Sequence, residues 1–345
     1  MKMAELNFKY EKVSDRITRI YAFSSELMYL VEGEERAALI DSGSGIGFVR
    51  PLIEMLTDKP LVVLLTHGHV DHAMGASEFP PDCVYINQED GYIYREHSSY
   101  EFRRAGLFLM GSLGKDVTEQ DFTPVVHIEA YHDLKEGDSF DLGGVTIRIY
   151  ACPGHTRGSL VMLIPEERML ILGDACNGFT FLFEDYALSI EAYRAGLIRL
   201  REQVRGMFDT VLASHGDGRL AKEIMDENIA LCHRILSGTA DKEPMEFRGN
   251  HGLIADRKAE PGHGNIVYNP VKNQNEIKMR GFSNGLSGKR QRGGACKRKD
   301  IVRPGIRRRQ HYHTDFRDVS DFLFNGFRRD SSRGGRYHDA GGPLF

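Results

Sequence analysis

Four side chains that commonly bind metals follow one apolar segment, LVVLLTHGHVDHAMG: His67, His69, Asp71 and His72. The run LVVLLT is typical of a buried strand, and residues two apart on extended backbone point to the same side. His67 and His69 can therefore bind one ion together, while Asp71 and His72 serve a neighbouring ion. We expect a helix to begin near Ala73, so that a tight strand-to-helix turn brings the four side chains together.

Four other segments carry a residue of the same kind at the predicted end of a strand. They are LIDSG with Asp41, CPGHTRGS with His155, ILGDAC with Asp174, and LASHGD with His215. Taken with HGHVDH, these segments resemble the metallo-β-lactamase superfamily. HGHVDH matches its HxHxDH signature position for position, and the other segments extend the resemblance in order over about residues 15–220. Each segment alone is a weak signal, whereas the five together are a specific one.

The resemblance implies a fold, a ligand set and a reaction. The implied fold is α+β, an αββα sandwich of two mixed sheets packed face to face with helices on both outer faces. The implied ligands are His67, His69 and His155 at one metal site, Asp71, His72 and His215 at the other, with Asp174 bridging the two. The implied role of Asp41 is to support the ligand turn from behind, although Asp41 is also suited to form a turn before SGSG.

These ligands predict a dinuclear hydrolase. Nitrogen and oxygen ligands without thiolate favour two zinc ions, and iron or manganese is also compatible. A hydroxide bridging the ions would attack a substrate carbonyl, with Asp71 orienting it and Asp174 joining the ions. We expect a thioester, ester or lactone of a small molecule as substrate, with hydroxyacylglutathione hydrolases (glyoxalase II) as the type. Some family β-lactamases have cysteine where this chain has Asp174, which argues against antibiotic hydrolysis.

Several nearby residues have more ordinary interpretations. Cys176 is expected to be a small packed residue, and Arg157 either meets substrate anions or forms a surface ion pair. Around residues 100–122, Phe102 and the apolar run 107–110 either cover the metals or pack as a helix on the core. His263 leaves a role at the edge of the site open. The other histidines outside the motifs are expected to be surface or structural residues: His97, His127, His132, His233 and His251.

The elements that must position the ligands can be read from short apolar runs. Strands are predicted over 17–23, 27–33 and 37–43 as a meander, then over 61–66 and 83–87, and a helix from Pro51 separates the two groups. Two hairpins follow, DSFDLGG with VTIRIYAC and SLVMLIP with RMLILGD. A helix over 190–204, a strand in TVLAS and a terminal strand in 262–270 complete a layered domain.

Charge divides the chain of 345 residues into two parts. Residues 278–345 hold 17 Lys and Arg against 6 Asp and Glu, whereas residues 1–277 have a net charge of −15. We therefore predict a hydrolase domain over 1–277 and a basic, Gly- and Arg-rich tail over 278–345 that is disordered. The tail is either an RNA-tethering segment, a solvated appendage or a translation artefact. The acidic body argues against nucleic acid as its partner.

Composition also limits location and class. With 41% hydrophobic and 27% charged residues, the chain is of ordinary globular composition. Five scattered cysteines, no signal-type segment and no long apolar run favour the cytoplasm and no membrane partner, and the oligomeric state stays open. Two other functions remain as alternatives. One is an RNA-processing nuclease of the same superfamily, which only the basic tail favours. The other is a di-iron redox module, which would need a flavin-binding partner domain, and the residues after 220 do not leave room for such a domain.

Overall fold

The computed structural model describes residues 8–24, 26–106 and 117–272. Seventeen strands lie within these ranges: β1 Lys9–Lys12, β2 Ile17–Tyr21, β3 Leu27–Glu32, β4 Ala37–Ile40, β5 Leu61–Leu64, β6 Val84–Ile86, β7 His132–Asp133, β8 Ser139–Asp141, β9 Thr146–Ala151, β10 Leu160–Ile164, β11 Met169–Ile171, β12 Thr180–Leu182, β13 Thr210–Leu212, β14 Arg219–Leu220, β15 Glu243–Phe247, β16 Asn250–Ile254 and β17 Ile266–Tyr268.

Six α-helices accompany them: α1 Arg50–Leu56, α2 Val70–Ala73, α3 Gly91–His97, α4 Tyr100–Ala105, α5 Ile190–Gln203 and α6 Ile224–Leu236. Five short 3-10 helices connect them: Met74–Glu78, Pro81–Cys83, Gln88–Asp90, Glu119–Asp121 and Ile128–Ala130. No helix in these described ranges combines the length and the apolar character needed to cross a bilayer.

Two mixed sheets form the centre of the domain. The first has the order β1-β2-β3-β4-β5-β6-β7, antiparallel from β1 to β4 and parallel from β4 to β7. The second has the order β14-β13-β11-β10-β9-β8, with β11 and β13 parallel and the other pairs antiparallel. The predicted meander and both predicted hairpins are therefore confirmed.

Alternation along the strands explains how the layers pack. In β3, Leu27, Tyr29 and Val31 face the apolar core between the two sheets, whereas Met28 and Leu30 face the helices on the outside. Because both faces are buried, the strand is a continuous apolar run rather than an alternating one. On the far side, α5 and α6 cover the second sheet with a separate apolar cluster. The predicted αββα sandwich is confirmed.

A third sheet was not predicted. It has the order β12-β17-β16-β15 and stands beside the sandwich. The predicted terminal strand over 262–270 corresponds to β17, which pairs with β12 in parallel and with β16 in antiparallel orientation. Residues 107–110 and the tail 278–345 lie outside the described ranges, so the expectations for them, including the domain boundary at 277, stay predictions.

The helix of the HGHVDH turn begins earlier than predicted. His69 is extended, with ψ of 156°, and α2 starts at Val70 rather than near Ala73. The N–H of Val70 donates to Nδ1 of His97 at 3.2 Å, and the N–H of Ala73 donates to the carbonyl of His69 at 3.0 Å. Since Asp71 falls in the first turn, its charge also suits the positive end of the helix.

The turn is tied to the loop after β4 by close backbone contact. The N–H of Ser42 donates to the carbonyl of His72 at 2.8 Å, and the N–H of Gly75 donates to Gly43 at 3.1 Å. A Cβ on Gly75 would lie 2.0 Å from the carbonyl oxygen of Ser42. Only glycine fits there, because the obstacle is backbone rather than a movable side chain.

We expect Gly75→Ala to lower the free energy of unfolding by about 1–3 kcal/mol, because the two loops must move apart. Urea denaturation measures this change. Gly196→Ala is the matched control: the nearest atom to a Cβ there is 3.6 Å away. In a helix interior alanine is favoured over glycine by roughly 1 kcal/mol, so the control should not lose stability. Equal midpoints for Gly75→Ala and the wild type would contradict the close contact.

Candidate metal centre

The candidate ligands follow strands of both sheets. The turn with His67 and its neighbours follows β5 in the first sheet, while His155, Asp174 and His215 follow β9, β11 and β13 in the second. Since β9 and β11 are each antiparallel to β10, and β11 is parallel to β13, these three strands run in one direction. Their carboxyl ends therefore meet at one edge of the second sheet, where the HGHVDH turn joins them.

The first group consists of His67, His69 and His155. All three imidazoles are buried, and one nitrogen of each lies within 4.8 Å of the others. Nε2 of His155 is 2.9 Å from Nδ1 of His69. This is the set predicted for the first metal site.

The second group consists of Asp71, His72 and His215. Oδ2 of Asp71 lies 3.7 Å from Nε2 of His72 and 3.6 Å from Nε2 of His215. His72 is fully buried, whereas Asp71 and His215 retain some exposure. The group is therefore partly accessible to solvent at Asp71 and His215.

Asp174 lies between the two groups. Its Oδ2 is 3.8 Å from Nε2 of His155, 3.6 Å from Nε2 of His72 and 3.3 Å from Nε2 of His215. One carboxylate oxygen thus faces imidazoles of both groups. The structure brings together all seven residues that the sequence singled out as ligands.

The donors fit a bound cation. Nε2 of His67 and Nε2 of His72 are buried and lack a hydrogen-bond partner in the described part of the chain. A buried polar atom without a partner costs about 1–3 kcal/mol, and a metal ion satisfies such lone pairs. The arrangement of nitrogens and carboxylate oxygens is that of a metal site.

The opposite nitrogen of each buried imidazole is held by the protein. Nδ1 of His72 donates to Asp41 at 2.8 Å, and Nδ1 of His155 donates to the carbonyl of Phe181 at 2.9 Å. The ring of His69 has the opposite orientation. Its Nε2 lies 2.9 Å from the hydroxyl of Tyr186, and its Nδ1 faces Nε2 of His155. These bonds fix each ring with its remaining nitrogen directed into the cluster.

Asp41 supports two ligands at once. Besides His72, it accepts the N–H of Thr66 at 2.8 Å and the hydroxyl of Thr66 at 2.9 Å. Because that hydroxyl donates to Asp41, its oxygen can accept Nδ1–H of His67 at 3.1 Å. Asp41 itself has a φ of 59°, in the left-handed region. Such strain at a non-glycine residue often accompanies a functional site.

Burial and neighbouring charges shift the pKa values of the imidazoles in opposite directions. Burial together with the neighbouring imidazoles of His72 and His155 holds the pKa of His67 well below its usual value. Burial also opposes the charged form of His215, but Asp174 and Asp71 raise its pKa to about 9. The carboxylates of Asp71 and Asp174 thus favour positive charge on the imidazole of His215, as they would favour a bound cation.

Three residues contact the ligand turn in ways that the sequence did not predict. Tyr186 holds His69, and His97 accepts the N–H of Val70 while stacking on His69 with ring centroids 4.9 Å apart. Burial lowers the pKa of His97 to about 3, so its ring stays neutral. His97 is therefore a structural histidine, as expected, but one in contact with the ligand turn.

Asp90 is the third, and it joins two ligand loops. It is fully buried and accepts the N–H of Gly68 at 2.9 Å, the N–H of Gly158 at 2.7 Å and the hydroxyl of Thr156 at 2.8 Å. Gly68 belongs to the HGHVDH turn, while Thr156 and Gly158 follow His155 in the loop after β9 of the other sheet. Only the burial of this aspartate, which sequence alone does not reveal, distinguishes it from a surface residue.

The remaining candidates lie outside the cluster. Cys176 is fully buried in the core beneath α5 and α6, and His263 pairs with Glu227 at 2.7 Å instead of facing the ligands. Arg157 is exposed. Phe102 stacks on His97 with ring centroids 3.9 Å apart, and His97 in turn stacks on the candidate ligand His69. The four other histidines outside the motifs are exposed: His127, His132, His233 and His251.

We expect Asp41→Asn to weaken metal binding by roughly 10–100-fold, because an amide cannot accept from both Thr66 and His72. Titration against a chelator of known affinity measures the loss. Asp82→Asn removes an exposed carboxylate away from the centre and should leave the affinity unchanged. Equal affinities for Asp41→Asn and the wild type would show that Asp41 does not support the ligands.

Metal binding should release protons at neutral pH, because the pKa of His215 is raised to about 9 and a ligand imidazole must be unprotonated. Affinity should therefore rise with pH until pH exceeds about 9. Calorimetry in two buffers of different ionisation enthalpy measures the released protons. A binding enthalpy that is the same in both buffers would contradict this charge arrangement.

Comparison with known proteins agrees with this geometry. The sequence profile of the Metallo-beta-lactamase superfamily matches residues 22–217. An uncharacterized protein of Mycobacterium bovis is 30% identical over 132 residues, 37% of this chain and 54% of that protein. The chain thus spans about half the length of the mycobacterial relatives that it matches.

Two relatives with descriptive names match over longer stretches. Hydroxyacylglutathione hydrolase GloC of Haemophilus influenzae is 25% identical over 209 residues, 58% of this chain and 89% of that protein. Acyl-coenzyme A thioesterase MBLAC2 of Gallus gallus is 26% identical over 235 residues, 60% of this chain and 80% of that protein.

Among solved structures, a double mutant of the sec-alkyl sulfatase PisA1 shares the fold. The TM-score is 0.51 at 15% identity, covering 69% of this chain and 44% of that one. The profile match extends over more than half of the chain and includes the ligand-bearing segments from His67 to His215. The chain belongs to the metallo-beta-lactamase superfamily.

Proposed function

We propose that the protein is a dinuclear metal-dependent hydrolase of small-molecule acyl thioesters, with esters and lactones as related substrates. The observation that carries the proposal is the position of Asp174. Its Oδ2 lies within 3.8 Å of imidazole nitrogens from both ligand groups. A carboxylate in that position suits a pair of ions rather than one.

The names of two relatives support the thioester as substrate class. One is called a hydroxyacylglutathione hydrolase and the other an acyl-coenzyme A thioesterase. Both names describe release of an acyl group from a thiol. Identity of about a quarter leaves the acyl group and the thiol of this protein's substrate open.

The donor set supports zinc. The cluster offers five imidazoles and two carboxylates and no thiolate, a set that zinc accepts and that iron or manganese also tolerates. Divalent ions held there would lower the pKa of water toward neutrality and would polarise a carbonyl oxygen. Asp71, which is partly exposed, would orient the attacking water.

No cysteine among the described residues belongs to the three ligand groups. Cys176 is the cysteine nearest in sequence to a ligand, but burial raises the pKa of its thiol to about 12. The amide of Asn228 donates to its sulfur at 3.2 Å. Because a neutral, enclosed thiol does not attack, hydrolysis by water without a covalent enzyme intermediate is the mechanism that fits these residues.

The same proposal extends to partners and location. A small-molecule substrate suits an acidic body that repels polyanions, so nucleic acid would have to be reached through the basic tail. Location in the cytoplasm stays a prediction.

The proposal is tested by metal analysis followed by substrate screening on one preparation. We expect about two equivalents of metal per chain and turnover of thioesters above that of β-lactams and phosphodiesters. His69→Ala and Asp174→Ala should each lower turnover by several orders of magnitude, because each removes a ligand. The fold should remain, since both residues follow strands rather than pack within the core.

His127→Ala serves as the matched control, because this histidine is exposed and outside the cluster. Its turnover should equal that of the wild type. Unchanged turnover in Asp174→Ala, with the metal content also unchanged, would refute the proposal. Preferred cleavage of phosphodiesters would instead favour the nuclease alternative.

A further inference from the structure

One arginine outside the residues matched by the family profile approaches the centre in an unusual backbone conformation. Arg248 occupies the tip of the β15–β16 hairpin, between the paired residues Phe247 and Asn250. Its φ is 51° and that of the following Gly249 is 78°. Two left-handed residues in a two-residue hairpin turn favour Asn-Gly or Gly-Gly. An arginine here is strained, and such strain persists where the surroundings require it.

The surroundings of Arg248 lead back to a metal ligand. Its guanidinium lies over the ring of Phe102 at 4.9 Å and over the ring of Phe247 at 5.5 Å. Phe102 stacks on His97 at 3.9 Å, and His97 stacks on His69 at 4.9 Å. Four planar groups from separate elements thus form a column that connects the hairpin tip with the candidate metal centre.

The charge of Arg248 acts on the same region. Burial lowers the pKa of Arg248, and the groups that oppose this shift are Asp71, Tyr186 and Glu184. Asp71 is a candidate metal ligand, and Tyr186 contacts His69. Glu184 also accepts a hydrogen bond from the side-chain amide of Asn250 at 2.8 Å. Since arginine stays protonated at neutral pH, a half-buried positive charge stands beside the centre.

We propose that Arg248 binds an anionic group, a carboxylate or a phosphate, on the thiol portion of the substrate. The inference rests on the proposed thioesterase function and specifies its substrate class. A guanidinium presents a planar set of donors that matches such oxyanions. The rings of Phe102 and Phe247 hold this set in place by contact with the cation. Arg248 is thus a specificity-determining residue, which gives a functional reason for an arginine at a position that favours Asn or Gly.

The test uses pairs of thioesters that differ by one ionised group. The first pair is S-acetyl-N-acetylcysteine, which has a carboxylate, and S-acetyl-N-acetylcysteamine, which does not. The second pair is S-acetyl-phosphopantetheine and S-acetyl-pantetheine, which tests a phosphate. We expect the wild type to prefer the charged member of at least one pair by roughly tenfold or more in kcat/KM. Arg248→Asn should abolish the preference through a higher KM for the charged member.

Arg168→Asn is the matched control. Arg168 also has a φ of 51° and lies in a hairpin turn, but it is exposed and pairs with Asp209. The substitution therefore relieves the same backbone strain without touching the centre. It should preserve the substrate preference. If Arg248 served only to fasten the hairpin, Arg248→Asn would lower the urea midpoint more than Arg168→Asn and leave the KM ratio unchanged, which would overturn the proposal.

A binding measurement separates this inference from the proposed function. The probes are the S-benzyl thioethers of the same four thiols, which cannot be hydrolysed, and calorimetry on the metal-loaded protein gives their affinities. We expect a charged thioether to bind roughly tenfold more tightly than its neutral partner, and Arg248→Asn to remove the difference. Absence of any thioesterase activity would refute the function alone. Equal affinities within both pairs, or a difference that persists in Arg248→Asn, would refute the role of Arg248.

Discussion

The crowding of imidazole nitrogens and carboxylate oxygens in a largely buried space is the constraint on which the rest of the structure depends. Nε2 of His67 and of His72 have no hydrogen-bond partner among the described residues, and both face the carboxylate of Asp174. Each such atom costs about 1–3 kcal/mol unless a cation satisfies it. A chain that maintains this arrangement must hold the ligands firmly from outside, which Asp41, Tyr186 and Asp90 do.

The sandwich explains why ligands so far apart in sequence can be held so closely. Each follows a strand whose two faces are both covered, as in β3 and its neighbours, so the strand ends have little freedom to shift. The two sheets bring separate parts of the cluster, and Asp90 fastens them by accepting from Gly68 on one side and Gly158 on the other. Rigid elements thus fix the geometry, while short turns present the side chains.

Sequence reasoning predicted the parts of the structure that follow from local sequence patterns. The HGHVDH spacing, the apolar runs of the strands and the residues at the strand ends are each visible within a few positions, and the fold they predicted is the fold observed. Tyr186, Asp90 and His97 could not be found in this way, because their hydrogen bonds with the ligand turn join residues at least 22 positions apart. Helix α2 begins early for a similar reason, since a distant histidine accepts the N–H of Val70.

Three of the four strands of the third sheet lie outside the residues that the family profile matches. The matched residues 22–217 include every candidate ligand, whereas β15, β16 and β17 come later in the chain. Of these, β15 and β16 were not predicted from the sequence, yet their hairpin carries Arg248 to the column of rings that reaches His69. A catalytic centre built from strand ends tolerates little change, because every ligand must meet the others. A hairpin beside it can vary without moving them, and substrate selection is therefore expected to depend on the part of the chain that the family profile does not cover.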